Sequence, residues 1–254
     1  VSDVLAYAPP RTLAAKVKRR LTQWRAARPV VLRFDEPILS ICFDDFPRSA
    51  AHEGAAILAR HGARGTYYAA ADMADKDGPC GQGFSAADIV RLAEAGHEIG
   101  CHTFSHADCA TRDAFDTLTD IAANRDALRA MGLTHAPVAL AYPYGESTNE
   151  LKDALPPRMR SARGVLRGLN VGRADLAQLR AAPLFGAGAL SAAYDALRQA
   201  AKRTAWLIAF THDVSDTPSA WGTSGADLDL FLSAARKLGF HILPVTSALE
   251  RARP

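Results

Sequence analysis

Asp44 and Asp45 stand side by side at the end of an apolar run, Ile38-Leu39-Ser40-Ile41-Cys42-Phe43, and the chain later supplies His102-Thr103-Phe104-Ser105-His106. Together these are the parts of a mononuclear metal hydrolase. On one turn of helix, four residues advance about 400°, so two histidines at this spacing would lie about 40° apart and could converge on one ion. A carboxylate at a strand end can complete the ligand set. Neighbouring strand residues point in different directions, so one aspartate can bind a metal while the other takes a proton from water. Adjacency alone does not say which does which. Each feature also has an ordinary reading. An Asp-Asp pair is commonly a solvated turn or helix cap, and paired histidines without a third ligand are commonly unrelated.

The frame that must position these residues alternates strand and helix. Strands are expected near 39–43, 65–70, 98–102, 138–142, 161–165, 206–211 and 241–243, and helices at about 49–61, 85–95, 112–131, 147–154, 190–202 and 226–238. Ser85 can cap the second helix, while Gly62, Gly96, Gly132 and Gly239 fall where helices should end. Such alternation implies parallel βαβ units. Pro143-Tyr144-Gly145 follows the apolar Val138–Ala141 run and could be a plain turn. His212 follows the strand-like run Trp206–Phe210, at the end of a barrel strand where such enzymes keep their chemistry.

Composition sets outer bounds. With 254 residues, 48% of them hydrophobic, the chain can fill one barrel-sized domain over 30–254, preceded by a lead-in over 1–29. A net charge of +3 gives no reason to invoke nucleic acid, and no run of apolar residues is long enough to span a membrane. Cys42, Cys80, Cys101 and Cys109 lack zinc-ribbon spacing and fit reduced thiols better than disulfides. The N-terminus has no charged-then-apolar leader pattern, so a cytoplasmic location is expected, although the chain begins at Val1. From Thr12 to Ala27, Leu13, Val17, Leu21 and Trp24 recur at helical spacing among Lys16, Lys18, Arg19, Arg20 and Arg25. Such a helix either contacts an anionic membrane surface or a partner, or packs its stripe on the core and solvates its charges. The second is the ordinary outcome.

Four ordered segments carry a family resemblance: Ser40–Asp45, Gly96–His106, Ala141-Tyr142-Pro143-Tyr144-Gly145 and Phe210-Thr211-His212-Asp213. In that order they resemble the motifs of NodB-type polysaccharide deacetylases, carbohydrate esterase family 4. The resemblance implies an α/β fold, a distorted, incomplete (β/α)7 barrel, and metal-dependent removal of N-acetyl groups from N-acetylhexosamine units of a glycan. It further implies that Asp45, His102 and His106 hold a divalent metal, with Zn²⁺ expected. Asp44 would be the general base, the backbone N–H of Tyr144 an oxyanion donor, and His212 the acid that protonates the leaving amine. Pro143, Tyr142 and Trp221 are candidates for a substrate loop.

Two departures stand out. Many family members carry an Arg two residues before the motif proline, where this chain has Ala141, and the usual Asp motif supporting the acid histidine is not recognisable near Ser161–Gly164. Arg163, Asp213 and Asp175 are the candidates for those supporting roles, Arg163 first because it ends an expected strand. The forms of the last two motifs resemble a proteobacterial exopolysaccharide subgroup whose deacetylases are cytoplasmic, with a holdfast-type adhesin deacetylase as one specific case. Deformylation of a lipid-linked sugar, opening of a cyclic amide, and a non-catalytic carbohydrate-binding barrel are the alternatives.

Overall fold

The computed structural model describes residues 12–253; the first part of the expected lead-in, 1–11, lies outside the described residues. Its strands are β1 (Pro29–Leu32), β2 (Ile38–Asp44), β3 (Thr66–Ala69), β4 (Asp77–Gly78), β5 (Gly81–Gln82), β6 (Glu98–Cys101), β7 (Ala139–Ala141), β8 (Ser161–Arg163), β9 (Gly172–Asp175), β10 (Ala182–Pro183), β11 (Trp206–Thr211) and β12 (His241–Ile242). The α-helices are α1 (Leu13–Trp24), α2 (Ala55–Arg60), α3 (Ala86–Glu94), α4 (Ala114–Ala130), α5 (Asn149–Ala154), α6 (Ala189–Arg203), α7 (Gly225–Lys237) and α8 (Val245–Glu250). A parallel sheet runs β10-β11-β2-β3-β6-β7-β8, with β12 also paired to β2. The chain on either side of β10 links the two ends. Leu179 N–H donates to Ala162 of β8 at 2.9 Å, and Leu184 N–H donates to Phe210 of β11 at 2.8 Å. The result is the curled, incomplete barrel of the NodB type.

β2 shows why an all-apolar run forms a central strand: every residue of it is buried. Leu39, Ile41 and Phe43 pack outward with Ile57, Leu58 and Phe231 of the helical layer. Ile38 and Cys42 face the hollow of the sheet with Tyr68, Trp206, Ile208 and Phe210, and Ser40 accepts the Trp206 indole N–H there at 2.9 Å. Alternation therefore aims Asp44 into the hollow. The helices begin and end as their sequences dictate. Ser85 and Asp88 form a reciprocal capping box at α3, and Gly96 and Gly132 close α3 and α4 with φ of 82° and 102°, values that favour glycine.

Two expectations require correction. The apolar stripe of α1 does not cover the core: Leu13, Val17, Leu21 and Trp24 are all exposed. The helix meets the barrel through polar groups instead, for Thr22 is buried and Lys152 of α5 donates to its carbonyl at 3.0 Å. Residues 102–106 are not a helical turn. They form an irregular loop after β6 in which Thr103 and His106 have φ of 60° and 51°, so the i, i+4 azimuth argument does not describe how the histidines converge.

Candidate active site

β2 ends at Asp44, and Asp45 follows in the left-handed region with φ 52°. This turn, rather than strand alternation, separates the two carboxylates. Asp45 Oδ1 lies 3.0 Å from His106 Nε2 and 3.3 Å from His102 Nε2, and the candidate donor atoms of all three residues fall within 4.8 Å of one another. Burial opposes the charge on Asp45, but the imidazoles of His106 and His102 override it and hold the carboxyl well below the usual range. Burial likewise opposes charge on His102, and Asp45 outweighs it, raising the imidazole above its ordinary value. The Nδ1 of His102 lies 2.7 Å from the Ala141 carbonyl, which can only accept, so Nδ1–H donates there and Nε2 is the atom turned towards Asp45.

The loop carrying the histidines is held from α4. Asp120 accepts from the backbone N–H of Phe104 at 2.9 Å and of Ser105 at 3.1 Å. Asn124, one turn on, accepts from Ala71 N–H and donates to the Ala69 carbonyl, each at 2.8 Å. No motif announced this helix face, because two polar residues at i and i+4 read as a solvated surface.

Asp44 is buried and paired with Arg163, whose guanidinium donates to Oδ1 from the end of β8. Arg163 is itself wedged between aromatic faces, 4.8 Å from the ring centroids of both Tyr68 and Phe210. Gly100 makes room for this stack, since a Cβ there would stand 2.4 Å from the Tyr68 ring. Thus the cation that Ala141 cannot supply reaches the hollow from the neighbouring strand. Tyr68 and Phe210 were missed by sequence reasoning, and only strand alternation towards the hollow could have flagged them.

Tyr144 sits in the turn Pro143–Gly145 with φ 59° and ψ 3°, and its ring meets that of His106 edge to face at 4.7 Å. It is partly exposed at the rim. Tyr142 is not a rim residue: it is buried, and its hydroxyl donates to the Ala177 carbonyl at 3.0 Å. Pro143 is buried too. Both therefore set the turn rather than line a surface. His212 is supported by a carbonyl in place of a carboxylate, its Nδ1 lying 3.1 Å from Trp221 O. Asp213 holds the loop that carries this carbonyl. It accepts from Ser219 N–H at 2.8 Å and Ser219 Oγ at 2.5 Å, while Ser219 Oγ in turn accepts from Trp221 N–H at 3.2 Å. Asp175 belongs elsewhere: its partners are Ala27, Arg28, Ala177 and Lys152, none of them in the site.

The four cysteines are free. Burial pushes Cys42 up to about 12 and Cys101 to about 11, so neither is a thiolate at neutral pH. A cleft of about 530 Å³ opens on the Asp213 side, lined by Arg48, Ser49, Gln82, Ser215 and Ser219 among others. These hydroxyl and amide groups suit a polar ligand. A second cleft, of about 490 Å³, lies around His97, Glu98 and Val138 at the opposite ends of β6 and β7.

Comparison with known proteins supplies the class. Residues 32–156 match the family model "Polysaccharide deacetylase", a span that includes Asp44, Asp45, His102, His106 and the Pro143–Gly145 turn. The chain thus carries the domain of a hydrolase that acts on amide bonds, and match and fold together support a NodB-type, carbohydrate esterase family 4 enzyme. No curated protein matches the chain significantly. Among solved structures it is similar to the peptidoglycan deacetylase PdaC from Bacillus subtilis, with 14% identity, a TM-score of 0.55, and coverage of 85% of this chain and 92% of that one. It is similar also to a family 4 acetyl xylan esterase from Clostridium thermocellum in complex with a cobalt ion, with 19% identity, a TM-score of 0.59, and coverage of 84% and 90%. A family 4 pseudoenzyme shares the fold as well, at 13% identity and a TM-score of 0.57, over 91% of this chain and 74% of its own. The fold alone does not decide catalysis; the side chains at the rim do.

Proposed function

We propose that the protein removes N-acetyl groups from N-acetylhexosamine units, N-acetylglucosamine foremost, of an exopolysaccharide or its lipid-linked precursor, releasing acetate. The observation that carries this reading is one rim holding three converging metal donors, a buried carboxylate clamped by Arg163, and a histidine whose Nδ1 is anchored to a carbonyl. The donor set fits a metal. Asp45 Oδ1 is buried without a hydrogen-bond partner and faces the Nε2 atoms of both imidazoles, an arrangement that costs stability unless a cation occupies the gap. Asp45, His102 and His106 would hold the ion, Zn²⁺ by donor chemistry, which when bound polarises the acyl oxygen and acidifies water.

The chain's own residues then divide the work. Asp44, oriented by Arg163, accepts the proton of the attacking water. The backbone N–H of Tyr144 donates to the oxyanion; such a donor contributes about 3–4 kcal/mol in acyl transfer. His212, with Nδ1–H held by Trp221 O, presents Nε2 to the substrate and, once protonated, gives its proton to the departing nitrogen, which leaves poorly as an anion. Trp221, partly exposed beside His212, is placed to stack on a sugar ring.

Mass spectrometry of an N-acetylglucosamine oligosaccharide before and after incubation with metal-loaded protein tests the reading. Loss of the acetyl mass with acetate released is expected. Formate from a formylated sugar would favour the deformylase, and no product with any amide would favour a binding barrel. The resemblance to a holdfast-type, cytoplasmic subgroup bears only on which glycan is tried first. Among the described residues no helix is long and apolar enough to cross a membrane.

A further inference from the structure

α1 stands against the barrel by its polar side. Buried Lys152 donates to the carbonyls of Thr22 and Arg25. Arg25 makes a two-pronged pair with Asp153 at 2.9 and 2.8 Å, and Arg19 Nε meets Glu146 Oε1 at 2.5 Å. The apolar stripe is therefore turned outward. Leu13 is 79% exposed, Val17 49%, Leu21 60% and Trp24 65%, a contiguous patch that a helix ordinarily buries.

Charge decides what fits it. Residues 12–27 carry Lys16, Lys18, Arg19, Arg20 and Arg25 and no acidic residue. Lys18 and Arg20 are exposed, and the Arg20 guanidinium lies 5.6 Å from the Trp24 ring centroid. An apolar stripe flanked by cations, with a tryptophan near one end, matches the boundary between acyl chains and anionic headgroups. A second copy of the same helix would bring like charges together. We propose that α1 is an interfacial helix that binds the surface of an anionic lipid bilayer. Through the Arg19–Glu146 pair it is fastened to the chain segment just beyond Tyr144, so a docked protein would carry the rim of the candidate site beside the bilayer. The proposal stands independently of the catalytic reading.

The test uses the full chain and sedimentation with vesicles of phosphatidylcholine alone, or with one third phosphatidylglycerol, at low and high salt. Binding to the anionic vesicles should exceed that to neutral ones by roughly tenfold or more and weaken with salt. Leu21→Glu with Trp24→Glu, and separately Lys18→Glu with Arg20→Glu, should each reduce it by about tenfold while leaving Tm unchanged, since these side chains are exposed. Asp44→Asn should bind as the parent does, which separates failure of the catalytic reading from failure of this one. Absence of anionic preference, or full binding by both double variants, overturns the proposal. So does a concentration-dependent dimer that Leu21→Glu with Trp24→Glu dissolves in protein that binds no vesicles, because the stripe would then be a contact between copies.

Discussion

Arg163 and Asp44 meet across the hollow of the sheet although 119 positions separate them in the sequence. Both are buried, and two aromatic faces fix the guanidinium in place. Removing one partner would leave the other charge buried and alone. Arg163→Met should therefore cost about 3–5 kcal/mol of stability, read as a fall in Tm, together with a large loss of kcat. Pairing Arg163→Met with Asp44→Asn should restore much of the Tm and none of the activity, because the lone charge is gone and so is the base. If the double variant is no more stable than Arg163→Met alone, the pair does not carry the stability argued for it.

Asp44 and Asp45 are adjacent yet face different partners, Arg163 for one and the two histidines for the other. Asp44→Asn should keep the metal and lower kcat by roughly 10²–10⁴, the usual contribution of a general base. Asp45→Asn should weaken metal binding by more than the roughly 10- to 100-fold that loss of a supporting residue costs a metal site. Elemental analysis beside kinetics checks both, and the reverse pattern exchanges the roles.

Much of this was legible in the sequence because parallel strands buried on both faces read as unbroken apolar runs, as β2 and β11 do. The two-residue β10 and the β1–β9 pair were not, since their pairing depends on neighbours brought together only by folding. The metal donors could be picked by residue type, but not their geometry: left-handed backbone at Asp45 and His106, rather than a helical turn, makes them converge. Arg163 was findable as the residue ending a strand. Asp175 ends one too, and fails as a candidate because β9 pairs with β1 outside the barrel, next to Lys152. Tyr142 was misjudged because a tyrosine in a motif looks available, whereas its ring fills the core beneath the turn.

The metal-free triad also makes a pH prediction. His102 is raised above its ordinary value and Asp45 held below its own, so their mutual attraction stabilises the metal-free protein between those two limits. The His102 share is present at low pH and lost as pH rises through its raised pKa. The Asp45 share is present above the ordinary carboxylate range and lost as pH falls through its depressed one. A metal requires neutral His102. Affinity should accordingly fall about tenfold per pH unit for each proton displaced once the pH drops below the raised His102 value. Calorimetric titration in buffers of different ionisation enthalpy should show proton release on loading, and binding without proton release at such a pH would contradict the assignment of His102 as a ligand.

His212 is held through Nδ1 by the Trp221 carbonyl, which leaves Nε2 as its working atom. An amide nitrogen needs a proton to depart, whereas an activated aryl acetate releases a stabilised phenolate unaided. His212→Ala should thus cut hydrolysis of an N-acetylated sugar by about 10²–10⁴ and that of the aryl ester far less. The contrast isolates acid catalysis, because a ligand role would depress both substrates and the metal content together. A structural role would lower Tm with modest loss on either substrate. Gly222→Ala offers an indirect test of the same arrangement. A Cβ there would stand 2.3 Å from Asp213 Oδ1, displacing the loop that carries Trp221 and so the carbonyl that orients the imidazole. Its losses should fall on the amide more than on the ester, as for His212→Ala but smaller. Equal losses on both substrates, with metal retained, would assign His212 to holding the substrate or the oxyanion and not to protonating the leaving group.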